Sequence, residues 1–132
     1  MQFKVHDTSL APAGRLKVEW AESRMPVMRK ISAMHAKNKP FEGWQIGGCL
    51  HITKETAVLV RALKAAGAET AWCGCNPLST QDDVAAALVE DGVGVFGWRG
   101  LSSKEYYWCI DRVIASRPGL TLDDGADLIL RL

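Results

Sequence analysis

A chain of 132 residues, 48% apolar and 23% charged, has the size and balance of one globular domain with its own core. Sixteen Lys plus Arg against fifteen Asp plus Glu leave a net charge of +1, which argues against a nucleic-acid binder and against an acidic tail. The apolar runs are short and broken by Gly or charge, so no segment is expected to span a membrane, and Met1 to Asp7 lacks the apolar stretch of a secretory signal, which points to the cytoplasm.

The first 40 residues read as helical. Pro12 to Ala21 places Leu16, Trp20 and Ala13 on one apolar stripe. Pro26 suits the first turn of a second helix, whose apolar face is Val27, Ile31 and Met34 or Met28, and which ends at Lys37-Asn38-Lys39-Pro40. From there strands and helices alternate. Trp44 to Leu50 reads as a strand, and Thr53 caps a helix to about Ala66, stopped by Gly67. Glu69 to Cys73 is the second strand. Ser79 with Asp82 resembles a capping box for a helix carrying Val84, Ala87 and Leu88, closed by Gly92. Val93 to Trp98 is the third strand. Ser102 with Glu105 is a stronger capping box, for a helix through Tyr106, Cys109, Ile110 and Val113. Pro118-Gly119 breaks the chain, Leu120 to Leu122 starts a fourth strand, and Leu128 to Leu132 begins a last helix. Strands about every 25 residues with a helix between each pair indicate βαβ units. The expected fold is α/β, a Rossmann-like parallel sheet of about four strands with helices on both faces, preceded by a helical N-terminal segment and forming one domain over residues 1–132.

In a parallel sheet all strands end at one edge. That edge is expected to carry His51, then Cys75 and Asn76, then Arg99, then Asp123 and Asp124, the place where open α/β sheets bind ligands. A histidine in a turn is commonly satisfied by backbone groups. Its ordinary pKa of about 6.5 also suits a proton donor or acceptor. Thr53 reads as a helix cap, and Glu55 as a first-turn carboxylate favoured by the helix dipole. Asp123-Asp124-Gly125 fits a turn. Two carboxylates at a strand end also suit a ribose or acid/base site, one facing the ligand and one the helix N-terminus.

Gly92-Val93-Gly94-Val95-Phe96-Gly97 fits G-x-G-x-x-G by letter, but here the glycines follow a helix and run through a strand. A dinucleotide turn needs the reverse order, so no cofactor site is expected here. Cys49, Cys73, Cys75 and Cys109 read as free thiols. Cys73-Gly74-Cys75 is C-x-C, a poor zinc or redox spacing even with His51 nearby, so no metal site is expected. Trp72, Trp98, Tyr106, Tyr107 and Trp108 sit at core and interface spacing, with Trp98 nearest the rim.

Across nearly its whole length the chain resembles the substrate-binding domain of the adenosylhomocysteinase family. The resemblance runs through Asp7, Gly14-Arg15, Glu22, Met25-Pro26, Gly48-Cys49-Leu50-His51, Thr53 and Glu55-Thr56-Ala57-Val58-Leu59. It continues with Gly67-Ala68-Glu69, Cys75-Asn76, Ser79-Thr80-Gln81-Asp82, Glu105-Tyr106, Trp108-Cys109-Ile110 and Leu122-Asp123-Asp124-Gly125. The resemblance implies an NAD-dependent hydrolysis of S-adenosylhomocysteine to adenosine and homocysteine. In that family the ribose 3′-hydroxyl is oxidised, the 4′ proton is removed and homocysteine is eliminated, with NAD held by a separate domain. It further implies that His51 and Asp124 handle protons near the 5′ leaving group. Leu50, Thr53, Glu55 and Thr56 would line the adenine side, and Asn76 and Gln81 the pocket wall. Family members are usually homo-oligomers.

Two departures stand out. The family's Asp-Asp-Gly-Gly-Asp is Asp123-Asp124-Gly125-Ala126-Asp127 here, and the family's NAD domain is not expected within these 132 residues. The chain is therefore expected to be inactive alone and to need a missing NAD-binding domain or a partner chain. A non-catalytic module that binds adenosine or S-adenosylhomocysteine, and a scaffold for protein contact, are the competing readings. The sequence leaves open an inosyl rather than adenosyl substrate.

Overall fold

The computed structural model describes all 132 residues, as a four-stranded parallel sheet with six α-helices around it. A 3-10 turn, Thr8–Leu10, leads into α1 (Ala11–Ser23), followed by α2 (Pro26–Asn38), β1 (Gln45–Cys49), α3 (Lys54–Ala65) and β2 (Glu69–Cys73). The chain continues through α4 (Asp82–Glu90), β3 (Gly94–Phe96), α5 (Ser103–Ala115), β4 (Leu120–Asp123) and α6 (Asp127–Arg131). The strand order is β3-β2-β1-β4 and every pairing is parallel. The steps from β1 to β2 to β3 cross the sheet in one direction, and the step to β4 returns past β1. A single right-handed crossover sense then puts α3 and α4 on one face and α5 on the other.

The two faces are seen in the core. Ile46, Trp72 and Val95 pack with Val18, Val58, Val60, Val84 and Leu88 from α1, α3 and α4. Cys49, Ala71, Cys73 and Phe96 point the other way, against Cys109, Ile110 and Val113 of α5 and Leu128 of α6. Alternation along each strand, with both faces covered, is why β2 is buried from Thr70 to Cys73.

Several local signals act as their chemistry suggests. Thr53 caps α3, its hydroxyl accepting from the Thr56 N–H at 3.5 Å. Ser102 and Glu105 form a complete capping box. Gly67 and Gly92 have φ of +99° and +84°, which closes α3 and α4.

Four expectations are corrected. Leu16 and Trp20 do not face the core; they are 69% and 55% exposed, and α1 buries Ala11, Gly14, Val18 and Ala21 instead. The small stripe wins because α1 lies so close to α4 that a methyl at Gly14 would overlap the Asp83 carbonyl. On α2, Val27, Ile31 and Met34 are exposed, and Met28 is the residue that packs against the core. Ser79 does not cap α4. Its hydroxyl bonds the Asn76 carbonyl, and Gln81 holds the cap position without a side-chain bond. Asn76 Oδ1 accepts from the Leu78 N–H at 2.8 Å, and this local turn holds the chain out of the helix until Asp82. Finally, the extreme N-terminus is extended: Lys4 bridges Phe96 and shields the β3 edge, with Lys4 N–H donating to Val95 O at 2.8 Å.

Candidate functional site

The strand order places the return of the chain between β1 and β4, the switch point at which open α/β sheets form a crevice. His51 follows β1 and Asp124 follows β4, so they face each other there. His51 Nε2 lies 3.5 Å from Asp124 Oδ2. Cys75, just past β2, brings its thiol to 3.8 Å from the same carboxylate oxygen. The three ligand atoms all lie within 4.8 Å of one another, a donor set able to hold a metal ion. Burial pushes the Cys75 thiol up to about 11, with the Asp124 charge adding to it, so the thiol is neutral at physiological pH.

The adjacent carboxylates divide their work. Asp123 Oδ2 accepts from the Ile129 N–H at 2.9 Å and anchors α6, which leaves Asp124 for the crevice. The α6 entry is tied a second time by Tyr106, whose hydroxyl donates to Asp127 at 2.7 Å. Burial, then the bond to Asp127, pushes that phenol well above its ordinary range.

Leu50 is half-buried and its N–H donates to Cys73 O at 3.2 Å, which fixes the start of the His51 turn. Thr53 and Thr56 lie at the N-terminus of α3 with their hydroxyls 3.4 Å apart. Glu55, in the same first turn, is exposed and paired with Lys54 at 3.1 Å. Partial burial raises its carboxyl, but its own backbone N–H and Lys54 outweigh this and the net shift is downward. Gln81 is tied to this segment through its N–H, which donates to Ile52 O at 2.9 Å. With Leu16, Lys17, Trp20 and Lys54 it lines a cleft of about 450 Å³. Asn76 is spent on its own turn. Arg99 is exposed, its N–H donating to Asp82 at 3.1 Å.

Cys75, Gln81 and Asp123 are expected at this edge from the sequence; Thr80 is not, nor is the approach of the Cys75 thiol to the His51–Asp124 pair. Cys75 joins His51 and Asp124, while Cys73 of the same C-x-C is buried beside Cys49 on the α5 face. Thr80 and Gln81 each bury a side-chain oxygen at this edge without a protein partner, as does Asp123 through Oδ1. Alternation puts Cys73 and Cys75 on one side of the strand path and so gives no signal for this; the meeting of Cys75 with Asp124 follows from β2 and β4 flanking β1. A second cavity, of about 440 Å³, lies at the opposite edge of the sheet among Gln45, Glu69, Gly94 and Arg112. It is remote from the crevice.

The G-x-G-x-x-G glycines do not fit a dinucleotide. Gly92 closes α4 and Gly94 runs in β3, where a Cβ would stand 3.1 Å from the Gln2 carbonyl; at Gly97 it would stand 3.0 Å from Ile52.

An open α/β sheet with its polar side chains gathered at the switch point is a ligand-binding arrangement. The family model described as S-adenosyl-L-homocysteine hydrolase matches residues 2–132. The chain is 52% identical over 126 residues to an adenosylhomocysteinase of Aeropyrum pernix, which covers 96% of this chain and 30% of that protein. It is 51% identical over 131 residues to an S-inosyl-L-homocysteine hydrolase of Methanopyrus kandleri, covering 99% of this chain and 31% of that protein. The chain belongs to the S-adenosyl-L-homocysteine hydrolase family. It spans about 30% of the length of these curated relatives. No helix is long and apolar enough to cross a membrane.

Proposed function

We propose that residues 1–132 are one substrate-binding domain, which holds the nucleoside of S-adenosylhomocysteine for hydrolysis to adenosine and homocysteine. The observation that carries this is the pairing of His51 and Asp124 at 3.5 Å across the switch point of a chain in this family. His51 and Asp124 move protons near the 5′ leaving group, and the carboxylate, 3.5 Å from the imidazole, also holds that ring in place. Leu50, Thr53, Glu55 and Thr56 line the base, and Asn76 and Gln81 form the outer wall. Gln81 is the better placed of these two, with its unpartnered buried oxygen.

The redox chemistry of such an enzyme is supplied by NAD. On this reading the dinucleotide is held by a further domain or partner chain, since Gly92, Gly94 and Gly97 do not form a cradle for it. That same misfit favours the second reading, a module that binds adenosine or S-adenosylhomocysteine without turnover. Relatives of both names, adenosyl and inosyl, match at similar identity, so the base is a 6-substituted purine. Free thiols suit the cytoplasm. The exposed Leu16, Trp20, Val27, Ile31 and Met34 suit assembly into a larger homo-oligomer.

The test is a fusion of this chain to the remaining part of the Aeropyrum pernix relative, assayed with S-adenosylhomocysteine and S-inosylhomocysteine. Turnover of one of them is expected. His51→Ala and Asp124→Asn should each lower kcat by about 10²-fold or more. Glu55→Ala should mainly raise KM, because a base contact acts in ground and transition states alike. Near-normal turnover by His51→Ala overturns the assigned role. An inactive fusion whose isolated chain still binds adenosine supports the binding module instead.

A further inference from the structure

His51, Cys75 and Asp124 come from the ends of β1, β2 and β4, three neighbours in the sheet order. The three side chains converge although no local sequence spacing links them. Their chemistry is mixed: an imidazole nitrogen, a thiol sulfur and a carboxylate oxygen. Calcium and magnesium prefer all-oxygen sites, whereas nitrogen and sulfur donors select zinc and similar ions. We infer that His51, Cys75 and Asp124 form a three-ligand site for a borderline-soft divalent cation of the zinc type.

The geometry is close to what such an ion requires. Bonds of about 2.0–2.3 Å in a tetrahedron separate ligand atoms by about 3.3–3.7 Å. The His51–Asp124 separation is 3.5 Å and the Cys75–Asp124 separation is 3.8 Å. The remaining pair lies within 4.8 Å, so a side-chain rotation of His51 or Cys75 closes the set without moving a strand. All three side chains reach solvent at least in part, which gives an ion an entry path and leaves the fourth position to water. Asp124 is the hub, since it already contacts both other ligands. On binding, the Cys75 thiol gives its proton to solvent and the sulfur becomes a thiolate ligand, its charge balanced by the cation. The Asp124 charge that disfavours a free thiolate then becomes a ligand beside it.

The consequence rests on the proposed function. An ion here occupies the nitrogen of His51 and the oxygen of Asp124 that would carry the proton. Metal and substrate chemistry then exclude each other, and zinc acts as an inhibitor of the completed enzyme.

The site is tested on this chain without substrate. Anaerobic titration with Co²⁺ should give one equivalent of binding and a near-ultraviolet thiolate-to-metal charge-transfer band, bleached when Zn²⁺ is added. Cys75→Ser should abolish the band while circular dichroism shows the fold intact, and His51→Ala and Asp124→Asn should each weaken Co²⁺ by about 10-fold or more, at least the scale of losing a ligand's support. Cys109→Ser, on the buried α5 face, should leave the band unchanged. A band that survives Cys75→Ser, or Co²⁺ binding without any thiolate band, overturns the inference. So does failure of both ions to bind at micromolar concentration. Turnover of the fusion in the presence of a chelator separates the two ideas, because the hydrolase reading needs that activity and the metal site does not.

Discussion

Gly48 and Trp72 are register partners on β1 and β2, and the fully buried indole lies across the space where a Gly48 side chain would stand. A methyl there would overlap three ring atoms of Trp72, which has no room to withdraw between α3 and α4. Gly48→Ala is therefore expected to destabilise the chain by about 3 kcal/mol, the upper end of overpacking costs. Gly125→Ala, with nothing within 4 Å, should stay within about 0.5 kcal/mol. Urea unfolding of the two variants makes the comparison, and a neutral Gly48→Ala would contradict the packing described.

Ala126 sits at the entry to α6 with φ of +67°, in the left-handed region that favours glycine. The left-handed conformation costs a residue with a Cβ about 1–2 kcal/mol, partly offset by the greater freedom of glycine in the unfolded chain. Ala126→Gly should stabilise by about 0.5–1 kcal/mol. A drop in thermal midpoint would rule this out.

Ser102→Ala removes the hydroxyl that accepts from the Glu105 N–H at 3.2 Å, and should cost about 1 kcal/mol. The reciprocal bond, Ser102 N–H to Glu105 at 2.8 Å, holds the Glu105 carboxyl below its ordinary range. Its folded value is depressed, so its contribution is present above about pH 4.5 and is lost as pH falls through the lowered value. The destabilisation by Glu105→Ala should accordingly be smaller at pH 3 than at pH 7, as read by denaturant midpoints.

Cys75 and Cys109 carry thiols raised to about 11 and about 12, each by burial first. Both folded values lie above the ordinary 9.0, so the folded chain keeps its protons longer than the unfolded one. Stability should hold below pH 9 and fall as pH rises through 11 to 12. Alkylation of Cys75 by iodoacetamide should keep accelerating up to about pH 11 instead of levelling near 9. Asp124→Asn removes a charge that disfavours the thiolate, and should speed labelling at pH 8. An unchanged rate would separate Cys75 from Asp124 in solution.

Local chemistry was legible wherever one segment decides its own state. The βαβ spacing, the Thr53 and Ser102 caps, Gly67, Gly92 and the span Glu69–Cys73 depend on periodicity and on hydrogen bonds within a few residues. The parallel sheet follows from these by the handedness of crossovers. His51 and Asp124 could be assigned to one edge because every parallel strand ends there. Their distance, and the arrival of Cys75, were decided by strand order alone: β2 and β4 flank β1, and no pattern along the chain records which strands are neighbours. The faces of α1 and α2 were likewise set in three dimensions. The apolar pattern favoured Leu16 and Trp20, but Gly14 against Asp83 lets two helices approach more closely, and close packing outweighed the area of a larger side chain.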